Sequence, residues 1–446
     1  MPPQFGTDGI RGEANTALTP EVAVALGRAA VEVLGGDLFV IGADTRLSGP
    51  MLEGALTAGI CSAGADVESL GVVPTPAVAW ASADRNAAAA MISASHNPFG
   101  DNGIKLFAPG GLKLRDDTEA TIEKRYLEHL EQPSAFAGGV GDRVGGLRPS
   151  GGVAGWLDLI TGSVAPGALA GKKIVLDCAH GAAATLGPEP FARLGAELTV
   201  IGDRPTGTNI NDGFGSTSTA ALQAAVVETG ADAGLAFDGD ADRLIAVDDR
   251  GQVVDGDRVI GIIAADWSAA GRLRDNTVVV TVMTNLGFHR AMAGRGITVQ
   301  STAVGDRYIL AALDDQHLSL GGEQSGHVIC RDLAATGDGM LTGVQLLDVV
   351  ARSGSPLSTL ADTIMTRVPQ VLVNVRLAKR EADPAAAIAE DIRAVEESFG
   401  ADGRVLVRAS GTEPLLRVMV EHLDAEVAQQ ACDRLVAAAE RTFGTG

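Results

Sequence analysis

The stretch Leu38-Phe-Val-Ile-Gly-Ala-Asp-Thr-Arg is the first part of the sequence pattern that predicts the fold. In it an apolar run ends in polar residues. The run predicts a β-strand, and the Ala-rich stretch after it predicts a helix near Pro50–Ala63. A second strand-like run follows near Val67–Leu70. Two parallel strands need such a helical crossover between them. The segment is therefore predicted to be a βαβ unit.

The same order of elements returns twice further along the chain. A second unit starts at Lys173-Ile-Val-Leu-Asp and returns at Glu197-Leu-Thr-Val-Ile. A third unit starts at Thr277-Val-Val-Val-Thr and returns at Ile297-Thr-Val-Gln. Strands that alternate with helices in this way favour α/β domains. Three copies therefore predict three related α/β domains.

The C-terminal stretch has a different order. Strand-like runs at residues 370–377, 405–408 and 416–421 accompany helical patterns at Pro384–Phe399 and Ala425–Arg441. Because a crossover does not separate every pair of strands, this part is predicted to be a small α+β module. Gly- and Pro-rich breaks lie near residues 138–152, 248–255 and 368–370. The predicted domains are residues 1–150, 151–252, 253–367 and 368–446.

Composition limits the class of protein. At 446 residues the chain exceeds one core, since single cores stop growing at roughly 250–300 residues. Hydrophobic content of 46% is typical of a globular protein. No apolar run reaches about 18 residues, and the N-terminus does not resemble a signal peptide, so we expect a cytoplasmic protein without a membrane span. The cysteines lie too far apart to suggest a zinc site or a disulfide framework: Cys61, Cys178, Cys330 and Cys432.

The net charge is strongly negative. The chain has 35 Lys and Arg against 56 Asp and Glu, a formal net charge of −21. This argues against nucleic acid as a partner, because phosphate backbones require a basic surface. An anionic substrate would need positive charge concentrated in a cleft.

One segment offers a candidate nucleophile. It is Met91-Ile-Ser-Ala-Ser-His-Asn-Pro-Phe-Gly-Asp-Asn-Gly-Ile-Lys, in which a buried apolar stretch runs into a polar turn. The polar side chains should lie at the carboxyl end of a strand, where open α/β sheets bind ligands. A Ser beside a His, with a Lys shortly after, supplies a nucleophile, a proton carrier and a cation. A turn without chemistry fits the same residue types, since Ser, Asn, Asp and Gly favour turns.

A second segment carries alternating carboxylates. In Gly234-Leu-Ala-Phe-Asp-Gly-Asp-Ala-Asp-Arg, three aspartates, Asp238, Asp240 and Asp242, follow an apolar strand. Like charges this close repel each other unless a cation holds them. Oxygen ligands select a hard ion such as Mg²⁺, which leaves coordination positions for phosphate. A calcium EF-hand is disfavoured because Asp249 stands where its loop requires Glu, whereas a solvated acidic turn stays the alternative.

Two further loops carry polar groups suited to a sugar phosphate. In Leu320-Gly-Gly-Glu-Gln-Ser-Gly-His-Val, Glu323 accepts hydrogen bonds and Ser325 both donates and accepts, which suits sugar hydroxyls. In Val407-Arg-Ala-Ser-Gly-Thr-Glu-Pro-Leu-Leu-Arg, Arg408 and Arg417 flank a turn whose N–H groups can hold phosphate. An acidic loop and a hairpin with two exposed arginines are the alternatives.

Taken in chain order, these motifs resemble those of the α-D-phosphohexomutases. The resemblance covers nearly the whole chain and includes Phe5-Gly-Thr-Asp-Gly-Ile-Arg-Gly, Ser93-Ala-Ser-His-Asn-Pro, Asp238-Gly-Asp-Ala-Asp-Arg, Gly322-Glu-Gln-Ser-Gly-His and Arg408-Ala-Ser-Gly-Thr-Glu-Pro. It implies three related α/β domains and a smaller C-terminal domain around a central cleft. Members of the family interconvert the 6-phosphate and 1-phosphate of a hexose through a 1,6-bisphosphate.

The resemblance also implies roles for single residues. Ser95 resembles the family's phosphoserine, and its phosphate would bind Mg²⁺ together with Asp238, Asp240 and Asp242. Sugar-hydroxyl contacts are implied for Glu323 and Ser325, with His327 close by. The site of the non-reacting phosphate is implied to contain Arg408, Ser410, Gly411, Thr412 and Arg417. The basic positions near the transferring phosphoryl group are Arg11, His96, Lys105 and Arg243, and which of them is the general acid or base stays open.

Variants within the motifs resemble the branch of the family that acts on glucosamine phosphates. They are Glu323-Gln-Ser-Gly-His, Ser93-Ala-Ser95 and Val304-Gly-Asp-Arg-Tyr. They imply glucosamine 6-phosphate and 1-phosphate as substrates, glucosamine 1,6-bisphosphate as intermediate, and a place in cell-wall precursor synthesis. Mannose or glucose phosphates stay the alternative substrates. A sugar-phosphate sensor and a metal-dependent phosphatase are alternatives of other classes, and we expect a monomer or homodimer.

Overall fold

Four β-sheets follow one another along the chain. The computed structural model describes residues 2–6, 8–377, 383–409 and 415–444. Within these residues the sheets have eight, five, four and three strands. Each sheet is formed by one continuous stretch of sequence, so the order of the sheets follows the order of the four predicted domains.

The first sheet contains the predicted βαβ unit. Its strands β3 and β4 are parallel, and helix α2 connects them as predicted. The elements are β1 Phe5–Gly6, β2 Gly9–Glu13, α1 Pro20–Leu34, β3 Leu38–Ala43, α2 Gly49–Ala63, β4 Asp66–Val72, α3 Thr75–Arg85, β5 Ala88–Ile92, β6 Asp101–Ala108, β7 Leu112–Lys113, α4 Asp116–Glu131 and β8 Leu147–Arg148. The strand order is β1-β2-β6-β5-β3-β4-β8, with β7 paired to β6.

The second sheet has the order β10-β9-β11-β12-β13. The predicted parallel pair is confirmed as β9 and β10. The elements are α5 Ala154–Gly162, β9 Lys173–Asp177, α6 Ala183–Leu186, α7 Pro188–Arg193, β10 Glu197–Ile201, α8 Ala220–Thr229, β11 Ala233–Phe237, β12 Leu244–Asp248 and β13 Val253–Val254. Because β13 pairs with β12, this sheet continues past residue 252, and the break near residues 248–255 is a hairpin rather than a linker.

The third sheet has the order β15-β14-β16-β17, and its predicted parallel pair is β14 and β15. The elements are α9 Gly256–Ala269, β14 Thr277–Thr281, α10 Leu286–Ala293, β15 Thr298–Thr302, α11 Asp306–Asp315, β16 Leu320–Gly322, β17 Val328–Cys330, α12 Gly339–Ser353 and α13 Leu357–Ile364. Helix α12 is buried along most of its length, so it belongs to the core rather than to the surface.

The C-terminal module is an antiparallel sheet covered by helices. The strand order is β18-β20-β19. The elements are β18 Gln370–Arg376, α14 Ala389–Phe399, β19 Gly403–Ala409, β20 Leu415–His422 and α15 Ala425–Phe443. Helix α14 begins later than predicted from Pro384, because a 3₁₀ turn at Ala386–Ile388 precedes it.

The first three sheets share one core of four strands. In each, a central strand is parallel to two neighbours, and the second of these neighbours is antiparallel to a fourth strand. The equivalent strands are β4-β3-β5-β6, β10-β9-β11-β12 and β15-β14-β16-β17. The βαβ units predicted three related domains, and the structure shows that the domains share four equivalent strands each.

The three α/β domains also share a hydrophobic core. One continuous cluster of buried side chains runs through all three, and it includes Val78, Trp156, Phe237 and Phe288. Packed apolar surface of this extent holds the domains in fixed relative positions. None of the described helices is both long enough and apolar enough to cross a bilayer.

The C-terminal module has its own core and is joined to the third domain through a buried carboxylate. Glu421 on β20 is 0% exposed. It accepts hydrogen bonds from Asn285 Nδ2 at 2.8 Å, from the Leu286 amide at 3.0 Å and from Arg404 Nε at 2.5 Å. A buried carboxylate with this many donors fixes the orientation of the module against the third domain.

Candidate active site

The shared topology brings the predicted loops to one place. The serine loop connects β5 to β6, the aspartate loop connects β11 to β12, and the Glu323 loop connects β16 to β17. Each loop therefore joins the third and fourth strands of the four-strand core that the domains share, and it starts at the carboxyl end of a parallel strand. Ligands of open α/β sheets bind at this edge. The loops meet in a cleft.

Ser95 faces the aspartate loop. Its Oγ donates a hydrogen bond to Asp238 Oδ2 at 2.5 Å and lies 3.4 Å from His96 Nδ1. The backbone of Ser95 has φ of 52°, a left-handed conformation that a non-glycine residue adopts at a cost of about 1–3 kcal/mol. Gly239 lies opposite, and a Cβ there would be 2.5 Å from the Ser95 carbonyl oxygen. The two loops are therefore in direct contact.

The hydroxyl of Ser93 makes hydrogen bonds that stabilise the serine loop itself. Its Oγ donates to Asp44 Oδ2 at 2.5 Å and accepts from the Ser95 amide at 2.9 Å. Both bonds are buried. Of the two serines in the motif, Ser95 thus has the hydroxyl that faces the carboxylates.

A buried arginine organises the serine loop, and the sequence analysis did not identify it. Arg46 pairs with Asp44 at 2.9 Å, and both side chains are 0% exposed. Its Nη2 donates to the carbonyl oxygens of Ser95 at 2.9 Å and Asn97 at 2.8 Å, and its Nη1 donates to that of Asp101 at 2.9 Å. The signal was present, because the charged residues Asp44 and Arg46 come shortly after the end of the buried strand β3.

Two contacts hold the second domain against the first, one of them on the serine loop, and they were also missed. Asn211 Nδ2 donates to the carbonyl oxygens of Ser95 at 2.9 Å and Asn97 at 3.0 Å. Thr75 Oγ1 donates to Asp240 Oδ2 at 2.6 Å, and its amide donates to the Asp240 carbonyl at 2.9 Å. The serine and the aspartates therefore hold a fixed relation to each other.

The three aspartates fit a hard cation. One oxygen from each of Asp238, Asp240 and Asp242 lies within 4.8 Å of the others, and all three residues are buried. Burial, followed by the charges of Asp240 and Asp242, raises the pKa of Asp238 well above its ordinary value. Within the described residues, Oδ1 of Asp240 and Oδ1 of Asp242 have no hydrogen-bond partner. Buried acceptors without donors are costly, so this set matches a bound divalent ion.

Two predicted cations lie against the aspartates. Lys105 Nζ is 3.3 Å from Asp242 Oδ2 and 3.8 Å from Asp8 Oδ1, and Arg243 Nε is 3.7 Å from Asp242 Oδ1. Burial lowers the pKa of Lys105, but Asp8 and Asp242 outweigh burial and raise it above its ordinary value. Burial raises the pKa of Asp242, but Lys105 and His327 outweigh burial and hold it well below its ordinary value. Both groups are therefore charged at neutral pH.

Arg11 and His96 lie at the same centre. Arg11 Nη2 is 3.3 Å from Asp8 Oδ2, and its buried Nε has no hydrogen-bond partner among the described residues. Burial, with the nearby charges of Arg243 and Arg11, lowers the pKa of His96. The four predicted basic positions thus surround Ser95 and the aspartates.

His327 is buried between two carboxylates, whereas the resemblance implied a position close to the sugar hydroxyls. It is 3% exposed, with Nδ1 at 3.6 Å from Asp242 Oδ1 and Nε2 at 3.4 Å from Asp306 Oδ2. Burial lowers the pKa of His327, but Asp242 and then Asp306 raise it above the ordinary value. On the same loop, Glu323 Oε1 accepts from the Gly305 amide at 3.2 Å, and Ser325 is exposed.

A cavity of about 200 Å³ lies between these groups. Its lining residues come from all three α/β domains and are Asp8, Asp242, Arg243, Val304, Gly305, Asp306, Glu323 and His327. The cavity is polar and highly charged, which suits a small hydrophilic ligand rather than an apolar one.

Two arginines on the fourth domain stand side by side. Arg408 on β19 and Arg417 on β20 are register partners. Each has a buried Nε that bonds to no group in the described part of the chain. Burial and the neighbouring charge of Arg417 lower the pKa of Arg408, whereas Glu323 acts in the opposite direction. Two adjacent guanidinium groups with free donors suit a dianion. Ser410, Gly411 and Thr412 lie outside the described residues.

Known proteins resemble this chain over its whole length. The phosphoglucomutase/phosphomannomutase family matches it in four segments: α/β/α domain I at residues 2–133, domain II at 155–251, domain III at 255–368 and the C-terminal domain at 372–438. The chain is 50% identical over 431 residues to phosphoglucosamine mutase of Moorella thermoacetica, with 95% of this chain and 96% of that one covered. It is 48% identical over 450 residues to phosphoglucosamine mutase of Bacillus cereus, with 99% of each covered.

A solved structure shows the same fold. A phosphoglucomutase/phosphomannomutase family protein of Burkholderia thailandensis superposes with a TM-score of 0.82 at 26% identity, over 99% of this chain and 98% of that one. The predicted architecture of three α/β domains and a smaller C-terminal domain is confirmed. With four family domains in order and relatives at about half identity, the chain belongs to the phosphoglucomutase/phosphomannomutase family, the α-D-phosphohexomutases, and it is a mutase of the isomerase class.

Proposed function

We propose that the protein interconverts glucosamine 6-phosphate and glucosamine 1-phosphate through a phosphorylated Ser95 and glucosamine 1,6-bisphosphate. The observation that carries the proposal is the 2.5 Å contact between Ser95 Oγ and Asp238 Oδ2, at the edge of the buried aspartates. The glucosamine substrate is supported by the two relatives at 50% and 48% identity, which are phosphoglucosamine mutases.

Phosphorylation of Ser95 would place about two negative charges beside three carboxylates, which is unfavourable without a cation. Asp238, Asp240 and Asp242 would therefore hold Mg²⁺ together with an oxygen of the Ser95 phosphate. When bound, the ion supplies charge neutralisation for the phosphoryl group and orients it. The Oδ1 atoms of Asp240 and Asp242, which have no hydrogen-bond partner among the described residues, support this assignment.

The cations of the chain stabilise the transferring phosphoryl group. Phosphoryl transfer needs positioning and charge stabilisation rather than covalent help from the protein. Lys105 and Arg243 hold positive charge beside Asp242, and Arg11 of the first domain has an Nε without a hydrogen-bond partner in the described part of the chain. These groups are preorganised by burial, so they require little rearrangement when charge develops on the phosphoryl oxygens.

The opposite end of the substrate binds on the fourth domain. Arg408 and Arg417 would take the non-reacting phosphate, and Glu323 would accept hydrogen bonds from the sugar hydroxyls. Both ends of the bisphosphate must reach the same Ser95, so the intermediate has to turn around inside the cleft. An arginine pair that recognises only a phosphate serves either orientation, because it does not distinguish the 1-phosphate from the 6-phosphate.

Peptide mass spectrometry of active enzyme tests the nucleophile. We expect phosphate on Ser95, and we expect Ser95→Ala to abolish interconversion. Ser93→Ala is the matched control two residues away: it weakens the loop, so activity falls, but phosphate still appears on Ser95. Phosphate on Ser93 alone, or near-normal activity in Ser95→Ala, would refute the mechanism.

Product analysis tests the substrate and the reaction class. We expect a higher kcat/KM for glucosamine 6-phosphate than for glucose or mannose 6-phosphate. A higher value with either of the latter would assign the enzyme to phosphoglucomutase or phosphomannomutase activity instead. Stoichiometric release of inorganic phosphate without a sugar 1-phosphate would instead indicate a phosphatase.

A further inference from the structure

Six ionisable side chains form a closed ring beside the aspartate loop, and acids alternate with bases around it. Going around the ring, the distances are Lys105–Asp242 3.3 Å, Asp242–His327 3.6 Å, His327–Asp306 3.4 Å, Asp306–Lys113 2.5 Å, Lys113–Asp8 2.9 Å and Asp8–Lys105 3.8 Å. Every member has a partner of opposite type on each side. The arrangement is thus a network rather than a set of separate pairs.

The ring joins three domains. Asp8, Lys105 and Lys113 come from the first domain, and Asp242 comes from the second. Asp306 and His327 come from the third domain, so the Lys113–Asp306 pair bridges the first and third domains directly. The two side chains of this pair are 12% and 9% exposed. Solvent therefore screens the pair far less than it screens a surface ion pair.

The two residues of this bridge lie one step away from the groups at the reaction centre. Lys113 contacts Asp8, which in turn contacts Lys105. On the other side, Asp306 contacts His327, which in turn contacts Asp242. Lys105 and His327 thus reach Asp242 from two sides, and the Lys113–Asp306 pair closes the ring behind them.

We propose that Lys113 and Asp306 are positioning residues for phosphoryl transfer. Their ion pair holds the first and third domains together at the cleft, and through Asp8 and His327 it keeps Lys105 and Asp242 in place. The inference rests on the proposed function, because the positioned groups are those assigned to the phosphoryl centre. Transfer is sensitive to placement on the scale of about 1 Å, at which losses of about 10²-fold occur.

The test is a double-mutant cycle with Lys113→Met, Asp306→Asn and the double variant. Each single variant is expected to lower kcat by about tenfold or more while KM changes by less than about threefold, because the phosphate arginines lie on another domain. The kcat of the double variant should be no lower than that of the less active single variant, since all three variants lack the same ion pair. Multiplied losses, or an unchanged kcat, would overturn the inference.

A matched control separates positioning from the general loss of an ion pair. Lys172→Met removes another Lys–Asp pair, Lys172–Asp232 at 3.7 Å, which lies outside the cleft. Its kcat should equal that of the wild type. If a charge-removing variant fails to fold, Lys113→Arg and Asp306→Glu replace it. They keep both charges and are expected to lower kcat severalfold at unchanged melting temperature, and a wild-type kcat in both would count against positioning.

The wild-type enzyme distinguishes this inference from the proposed function. Interconversion of glucosamine phosphates by the wild type, together with unaffected variants, would refute the positioning role alone. Absence of interconversion of any hexose phosphate by the wild type would refute the proposed function, and the inference would fall with it.

Discussion

Replacement of Arg46 by Met tests whether this buried side chain fixes the conformation of the serine loop. The change keeps most of the side-chain volume but removes the partner of Asp44 and the donors to the carbonyl oxygens of Ser95, Asn97 and Asp101. Asn211 still donates to two of these carbonyls. The loop should therefore remain attached to the second domain but lose its fixed shape.

The expected loss of stability follows from the burial of the pair. Breaking a fully buried ion pair costs about 3–5 kcal/mol, which corresponds to a fall in Tm of roughly 6–20 °C for a domain of this size. The lower part of that range applies at pH 7. Burial already raises the pKa of Asp44 to about 6, against the lowering effect of Arg46. Without Arg46 the pKa of this carboxyl rises further, so the difference in Tm from the wild type should shrink as pH falls towards about 6 and level off below it, where Asp44 is protonated in both proteins.

Activity should fall further than stability alone explains. Displacement of the Ser95 hydroxyl by about 1 Å is expected to lower kcat about 10²-fold, measured well below the Tm of the variant. The matched control is Arg85→Met in the same domain, which removes the partly buried Arg85–Glu68 pair, with 3.0 Å between its atoms, away from the cleft. The control should lose Tm but keep kcat. Equal kcat in the two variants would contradict the role of Arg46.

Three further predictions concern the metal, the phosphate site and pH. Mg²⁺ at about a hundredfold excess over its Kd should stabilise the wild type by about 2.7 kcal/mol, and Asp240→Asn should abolish most of this shift in Tm; an equal shift in both would exclude the aspartates as ligands. Arg417→Ala should raise KM roughly tenfold or more with little change in kcat, because charge-assisted hydrogen bonds contribute about 1.5–3 kcal/mol; an unchanged KM would contradict the phosphate site. Burial, with the charge of Asp255, raises the pKa of Asp257 to about 7. Between about pH 4 and pH 7 folding is therefore accompanied by proton uptake at Asp257, and the stability of the folded state falls as pH rises through that window. Asp257→Asn should make the decline in Tm from pH 5 to pH 7 smaller than in the wild type. An equal decline in the variant would refute this.

The local elements of the fold could be predicted because their signals are local. The apolar run at Leu38–Ala43, the helix after it and the strand at Asp66–Val72 lie where the hydrophobic pattern placed them. The start of α14 was misplaced, because the Ala-rich stretch after Pro384 is compatible with both a 3₁₀ turn and an α-helix. Helix ends depend on caps and packing that periodicity does not encode.

The supporting residues of the site could not be predicted, because their partners are distant in sequence. Thr75 and Asp240 are separated by 165 positions, and Lys113 and Asp306 by 193. A lysine at the end of a short strand is an ordinary surface residue until another domain places a carboxylate against it. Arg46 is the exception, since a charged residue at the end of a buried strand is a detectable signal.

By itself, the sequence determined the class of fold, the order of the domains and the chemistry of each loop. These depend on hydrophobic period and turn residues, which act over a few positions along the chain. Only the tertiary structure decided that the loops of three sheets meet, that Ser95 rather than Ser93 faces Asp238, and that His327 lies between Asp242 and Asp306. The reason is physical: contacts between loops are set by the packing of whole domains against one another, and side-chain type constrains that packing only through the buried surface that the domains share.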